Sequence, residues 1–282
     1  MPAIVSRLWR GAVPAAAASA VVFWICGVSC AVWLGQAAFV ALALVASFVV
    51  ARMPALDRAL PRRLLLAGAP LLCALPFVVA SIRPARWIAV GPVSVYVAPA
   101  IVPLVLVCAA RDVAGGGRAV IAALTWLVVL NVVLAAQPDL SQAVAVAAAS
   151  VVLTIRARLR WPSVCALLLA LTGAVMAAYL QADPLRAVPW VEQVVAVSWQ
   201  SSPAAGLGVS LAGLWLVWAL AREAPRVPGI GAVAVYVAVL FGLAMADLTP
   251  APLIGFGAGP WLGFGLLVGA ATRLDVWHHP AG

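Results

Sequence analysis

The sequence predicts an all-α fold: a polytopic transmembrane bundle of about ten spanning helices that forms a single integral membrane domain over residues 1–282. The first observation is composition, since 66% of the residues are hydrophobic and only 9% are charged. Soluble domains carry about 25% charged residues, so this chain has too few to cover a surface that faces water. The second is that uncharged runs long enough to cross a bilayer recur along the chain. The third is an uneven distribution of arginine between alternate loops.

The first half of the chain supplies five predicted helices. Residues 12–51 form an uncharged run that is too long for one helix, so we predict two helices joined by a turn at Gly35-Gln36. Charged or glycine-containing connectors bound the others. The predicted helices of this half are 13–33, 36–51, 64–81, 93–110 and 119–136.

The second half supplies five more helices. Its longest polar connector covers residues 183–193. The eighth helix is interrupted at Ser201-Ser202-Pro203, because proline cannot continue a helix and serine favours a helix start. The predicted helices of this half are 142–155, 162–181, 194–220, 229–246 and 253–271.

The arginines indicate how the bundle lies in the membrane. All 17 basic residues are arginine, and fourteen of them fall in loops on the same side as the termini. Only Arg83, Arg86 and Arg186 fall on the other side. Basic loops stay in the cytoplasm, so both termini are predicted to be cytoplasmic. The same bias explains the net charge of +9, and no basic patch interleaved with aromatic residues indicates a nucleic-acid partner.

Arg83, Arg86 and Trp87 lie together in a short outer loop, where the charge bias disfavours arginine. Two interpretations are open. The arginines and the indole could anchor the loop at the lipid interface. Alternatively, the guanidinium groups could hold a ligand that carries pyrophosphate or glycan, with a carboxylate nearby for proton transfer. Half of the eight acidic residues lie on this side of the membrane, namely Asp139, Asp183, Glu192 and Asp247.

Three segments carry a family resemblance. Residues 86–92 read Arg-Trp-Ile-Ala-Val-Gly-Pro, residues 137–140 read Gln-Pro-Asp-Leu, and residues 248–259 contain Pro-Ala-Pro-Leu followed by a glycine-rich stretch. These segments resemble, in order and in position among the helices, three loops of the SEDS family (the FtsW/RodA proteins of shape, elongation, division and sporulation). The resemblance covers roughly residues 64–274 and implies the same ten-helix fold.

The resemblance also implies an activity and a site. SEDS proteins are glycosyltransferases that polymerise lipid II at the outer face of the bacterial inner membrane, typically with a class B penicillin-binding protein. Matching the family's essential aspartate to this chain gives Glu192 as the general base or as a ligand of a divalent metal ion, with Asp183 as the fallback catalytic residue. A solvated loop carboxylate is the alternative interpretation of Glu192. The predicted substrate-binding residues are Arg83, Arg86, Trp87, Gln137 and Asp139.

The chain also departs from the family pattern. Residues 96–99 read Tyr-Val-Ala-Pro where the family has Gln-Pro-Ser-Glu, a following lysine is replaced by Val102, and residues 200–203 replace Glu-Glu-Leu-Gly. Polar residues inside a membrane are usually functional, so their loss indicates a lost or altered reaction. The alternative hypothesis is therefore an inactive scaffold for cell-division, elongation or other envelope partners. A transporter of the lipid-linked sugar ranks third, because the spans show no repeat and few intramembrane charges.

A last pattern concerns packing. Gly255, Gly259 and Gly263 are spaced four residues apart, which predicts a close helix contact along the tenth helix.

Overall fold

A computed structural model describes residues 3–79, 84–91, 93–181 and 187–275, which form a bundle of helices with one short β-hairpin. The hairpin pairs β1 and β2 in antiparallel register. The elements in chain order are α1 (Ala3–Ile25), α2 (Cys30–Ala51), a 3-10 turn (Pro54–Asp57), α3 (Ala59–Ala74), α4 (Pro76–Val79), β1 (Trp87–Val90), β2 (Val93–Tyr96), α5 (Val97–Gly115), α6 (Arg118–Ala136), α7 (Leu140–Ala157), α8 (Trp161–Tyr179), α9 (Val194–Ser201), α10 (Pro203–Glu223), α11 (Ile230–Ala244) and α12 (Ala258–Asp275).

The lengths of these helices confirm a polytopic membrane bundle. Among the described residues, eight segments are long and apolar enough to cross a membrane, with α3 and α4 together forming one of them. The α11 helix is apolar but shorter, and α12 adds a further helix of 18 residues. The side of the membrane on which the termini lie stays a prediction.

The turn between the first two helices is not where the sequence predicted it. The break falls at residues 26–29, where Gly27 has a φ of +59° and so provides the left-handed backbone that a tight turn needs. Gly35 and Gln36 lie inside α2 instead. Gln36 is buried, and its side-chain amide donates to the Ser19 hydroxyl on α1 at 3.0 Å. The polar residue that we interpreted as a turn signal instead forms a hydrogen bond between two helices.

The β-hairpin corrects a second boundary. The predicted fourth helix began at residue 93, but Val93–Tyr96 is a strand and α5 begins at Val97. The hairpin turns at Gly91, whose φ is +59°. The strands pair Trp87 with Tyr96 and Val90 with Val93. The all-α fold therefore holds for the bundle but not for this loop, where β-branched and aromatic residues favour extended backbone.

The predicted interruption of the eighth helix is confirmed. The α9 helix ends at Ser201 and α10 begins at Pro203, where a missing amide hydrogen costs nothing. Between them Ser202 is extended, and its hydroxyl accepts from the Ala205 amide at 3.1 Å, which caps α10.

The last helix, α12, packs against α2 and α5 through glycine. A Cβ added at Gly265 would clash with the backbone of Ala43 on α2, and one at Gly263 would clash with the carbonyl of Pro99 on α5. Close helix packing is therefore confirmed for this part of the pattern. Gly255 does not share that role, because α12 begins only at Ala258.

Candidate functional site

The first two motif loops bind each other. The Arg86 guanidinium donates from Nε to the Gln137 carbonyl at 3.0 Å and from Nη2 to the Pro138 carbonyl. In return, the Gln137 side-chain amide donates to the carbonyls of Ala85 and Cys73, both at 2.6 Å. Arg86 and Gln137 are both buried. These reciprocal bonds hold the start of the hairpin against the start of α7.

The hairpin then presents an aromatic pair beside a buried carboxylate. The Trp87 and Tyr96 rings lie 5.2 Å apart between centroids. The Tyr96 hydroxyl donates to Oδ2 of Asp139, while Oδ1 of Asp139 accepts from the Gln142 amide at 3.3 Å and caps α7. Burial, and then the negative charge of Asp139, raise the pKa of Tyr96 well above its usual value. Tyr96 therefore keeps its proton, and its hydroxyl remains a donor.

Glu192 lies in the turn before α9. Its Oε2 accepts from the Val188 amide at 2.8 Å, which closes the turn on itself. The turn rests on the segment that precedes α12, because the Phe256 amide donates to the Trp190 carbonyl at 3.0 Å. A side chain at Gly255 would clash with the carbonyl of Val191. The glycine therefore lets this turn, and Glu192 with it, approach the bundle.

A fourth element is the turn that follows α11. The Ser141 hydroxyl at the start of α7 donates to the Leu248 carbonyl at 2.9 Å and joins this turn to the Asp139 loop. Asp247 precedes Leu248 with a φ of +59°. Thr249, the residue after Leu248, is buried.

These four elements enclose one polar cavity of about 140 Å³. Four of the predicted site residues meet there: Arg86 and Trp87 from the hairpin loop, Asp139 from the start of α7, and Glu192 from the turn before α9. Gln137 is buried and is not a lining residue of this cavity, and its side-chain amide bonds join the two loops. Arg83 and Asp183 lie outside the described residues. The complete lining is Arg86, Trp87, Tyr96, Asp139, Ser141, Ala187, Glu192, Asp247, Leu248, Thr249 and Pro250.

An apolar cavity of about 40 Å³ adjoins the polar one, and Tyr96, Thr249 and Pro250 line both. It extends between α5, α10, α11 and α12. Pro99 and Pro103 lie in its wall, together with Tyr236, whose hydroxyl donates to Oε1 of Gln142 at 2.6 Å. The family's glutamate at the position of Pro99 is therefore replaced by apolar surface.

The described part of the chain contains no group of three or more His, Cys, Asp or Glu side chains arranged to hold a metal ion. The metal-ligand role of Glu192 stays a prediction. A general-base role needs only a carboxylate within reach of a bound hydroxyl. The position of Glu192 in the cavity wall is compatible with that requirement.

Among the lining residues that sequence reasoning did not select as site residues are Tyr96 and Asp247. Tyr96 ends the run Val-Ser-Val-Tyr, which follows Gly-Pro and is rich in β-branched and aromatic residues. This pattern is a strand signal and could have placed Tyr96 in a hairpin. Asp247 was recognised only as an outer acidic residue. No sequence signal shows that its turn folds back towards the Asp139 loop.

Comparison with known proteins places this geometry in a known fold. No protein-family model and no curated protein sequence matches the chain. The rod shape determining protein RodA of Thermus thermophilus is similar in structure, with a TM-score of 0.72 over 98% of this chain and 97% of that one, at 20% sequence identity. An aspartate-to-alanine variant of that protein gives a TM-score of 0.69 at 21% identity, over 97% of this chain and 98% of that one.

A third similar structure describes how a peptidoglycan synthase complex coordinates polymerization and crosslinking. It gives a TM-score of 0.62 at 19% identity, over 96% of this chain and 97% of that one. The similarity spans nearly the whole of each chain. The chain therefore has the fold of RodA, that of the SEDS proteins whose loops its sequence resembles.

Proposed function

We propose that this protein is a SEDS-like glycosyltransferase that acts on lipid II or a related polyprenyl-pyrophosphate-linked sugar. One observation carries the proposal: in a RodA-like fold, Glu192, Arg86 and Trp87 line the same polar cavity. They come from loops that are more than 100 residues apart in the sequence. A carboxylate, an arginine and an indole around one cavity suit a ligand that contains both a sugar and a phosphate.

In the proposed reaction, a hydroxyl of the acceptor sugar attacks the sugar carbon that bears the lipid pyrophosphate. A new C–O bond forms, the bond to the pyrophosphate breaks, and the lipid pyrophosphate leaves with the bonding electrons. Glu192 accepts the proton of the attacking hydroxyl. Arg86, fixed by the Gln137 and Pro138 carbonyls, places positive charge at the cavity wall, where it would favour the departing anion.

The setting of this reaction is also proposed. The arginine distribution supports a bacterial inner membrane with the polar cavity on its outer face. The similarity to a chain of a peptidoglycan synthase complex supports a single-span partner of the class B penicillin-binding type. Under this proposal the adjoining apolar cavity, which Tyr96 and Thr249 share, lies on the membrane side of the reacting groups.

The test is polymerisation of labelled lipid II by the purified protein, wild type against Glu192→Gln. Glutamine keeps an oxygen that can accept from the Val188 amide but cannot take a proton, so we expect a rate about 10²–10⁴-fold lower. Glu192→Ala should lose at least as much. Gln193→Ala changes the next residue of the same turn and should keep the wild-type rate.

Two outcomes would contradict the proposal in different ways. Polymer made at the wild-type rate by Glu192→Gln would remove Glu192 from the mechanism. No polymer from the wild type, even with a class B penicillin-binding protein present, would favour the inactive scaffold. The observation that supports the scaffold is the apolar packing of Pro99 and Val102, both buried in α5 where the family has charged residues.

A further inference from the structure

The turn after α11, which carries Asp247, is held in place by hydrogen bonds of its backbone. The Asp247 amide donates to the Ala244 carbonyl at 3.2 Å, and the Leu248 amide donates to the Leu243 carbonyl at 3.1 Å. The Ser141 hydroxyl holds the Leu248 carbonyl from the opposite side. The carboxylate is thus carried by a turn that is bonded both to its own helix and to α7.

The three carboxylates that line the polar cavity differ in their hydrogen bonds. Asp139 accepts from the Tyr96 hydroxyl and the Gln142 amide, and Glu192 accepts from the Val188 amide. Oδ1 of Asp247 is buried and accepts no hydrogen bond from the described residues. A buried acceptor without a donor is costly and uncommon in folded proteins. Asp247 also lines the cavity, so its carboxylate has hydrogen-bonding capacity left for a donor that enters there.

The neighbours of Asp247 define what that donor is. A phosphate would be repelled by a carboxylate, and the cavity already holds two other acidic side chains. The indole of Trp87 lines the same cavity, and an aromatic side chain offers apolar surface to a ring. Uncharged donors next to a ring, such as hydroxyls and an amide N–H, are the groups of a sugar.

We propose that Asp247 is a ligand-binding residue of the polar cavity, and that its carboxylate accepts a hydrogen bond from a hydroxyl or amide N–H of the bound sugar. The inference rests on the proposed function and adds to it a contact to the sugar that is separate from the pyrophosphate. It also gives this chain a polar ligand contact in the polar cavity, whereas Pro99, which stands where the family has a glutamate, lines the adjoining apolar cavity.

The experiment compares the binding of two lipids to the full-length protein in detergent: lipid II, which carries the sugars, and undecaprenyl pyrophosphate, which does not. Asp247→Asn should bind lipid II about tenfold more weakly than the wild type, the effect of losing one charge-assisted hydrogen bond. Its affinity for undecaprenyl pyrophosphate should not change. Asp247→Ala should show the same selectivity, and the unfolding temperature of each variant verifies that it is folded.

The matched control is Met245→Ala, an exposed residue of the same turn outside the cavity lining, which should leave both affinities unchanged. Equal binding of lipid II by the wild type and Asp247→Asn would overturn the inference and leave the proposed function standing. Equal weakening for both lipids would also overturn it, because Asp247 would then act on the pyrophosphate or an associated cation. A wild type that binds neither lipid would overturn the proposed function, and the inference with it.

Discussion

The carboxylates at the two ends of the bundle have different hydrogen-bond partners. At the end that carries the start of α1, which we call the termini face, Arg62 Nε donates to Asp112 at 2.7 Å, Arg7 Nε to Glu223 at 2.9 Å, and Arg273 Nε to Asp57 at 2.8 Å. At the other end, which we call the cavity face, carboxylates accept from amides and a tyrosine, and one oxygen of Asp247 accepts from nothing described.

This difference separates stability from binding. These three ion pairs of the termini face join segments that are far apart in the sequence: the start of α3 to α5, α1 to the end of α10, and α12 to the 3-10 turn. The carboxylates there are paired with arginines of the protein: even Glu223 Oε2, which is buried and accepts no hydrogen bond from the described residues, lies 3.7 Å from Arg226 Nη1. The cavity face retains unused hydrogen-bonding capacity in a space that a ligand can enter. Substitutions on the two faces should therefore change different measurements.

Arg62→Ala should give the largest loss of stability. Asp112 is 2% exposed, and without Arg62 its nearest remaining cation is Arg63 at 3.9 Å. A buried charge that loses its partner costs about 3–5 kcal/mol. Thermal unfolding in detergent should show this loss, while the folded variant should bind lipid II with wild-type affinity.

The neighbouring arginine supplies the control for that experiment. The Arg63 side chain is 53% exposed, so Arg63→Ala should cost less than about 1 kcal/mol. If the two variants were equally destabilised, the buried pair would not be what holds α3 to α5, and the contrast between the faces would fail.

Gly259→Ala should have an intermediate effect on stability and should also change ligand binding. The added methyl group would clash with the Tyr96 carbonyl where α12 meets the hairpin. Overpacking of this kind costs about 1–3 kcal/mol, and the displaced hairpin should also weaken lipid II binding.

Gly257→Ala is the matched control, since a Cβ there would meet only Pro260 at an ordinary 3.7 Å. Its unfolding temperature and lipid II affinity should equal those of the wild type. A Gly259→Ala protein with wild-type values would show that the hairpin can move away from α12 without consequence.

Tyr96→Phe should have the smallest effect on stability of the three, about 1–2 kcal/mol, because buried Asp139 loses one donor but keeps the Gln142 amide. The raised pKa of Tyr96 adds a dependence on pH. The folded-state pKa lies above the unfolded value of about 10. The contribution of Tyr96 is therefore fully present below pH 10 and is lost only as the pH rises through the folded-state value.

Unfolding measured at pH 7 and pH 9 should consequently give the same difference between Tyr96→Phe and the wild type. Tyr179→Phe, at an exposed position, is the control and should be neutral. A difference that disappears by pH 9 would contradict the assignment of the proton to Tyr96.

The helices themselves could be predicted from the sequence because hydropathy and chain breaks are local properties. Ser202 and Pro203 predicted the break between α9 and α10 correctly. The α1–α2 turn was misplaced because Gln36 is polar, and its role as a partner of Ser19 depends on a second helix. The hairpin was missed because an apolar strand and the start of an apolar helix have the same hydropathy.

The candidate site was predictable only where a motif carried it. The resemblance selected Arg86, Trp87 and Glu192, and the structure places all three around one cavity. Their surroundings depend on contacts between distant loops, which no local pattern contains. Asp247 shows this most clearly. The turn that carries it is joined to α7 by the hydrogen bond from Ser141 to the Leu248 carbonyl, 107 residues away.

The glycine contacts of α12 also have a consequence for how the protein is made. Translation delivers α2 and α5 to the membrane before α12, the helix that packs against both of them. The segment that carries Gly255 and Gly259 supports both the Glu192 turn and the Tyr96 strand. A nascent chain that has inserted α1 to α11 therefore still lacks the segment that supports these two elements of the cavity. We therefore expect the walls of the polar cavity to be fixed in place late in biogenesis, when α12 docks.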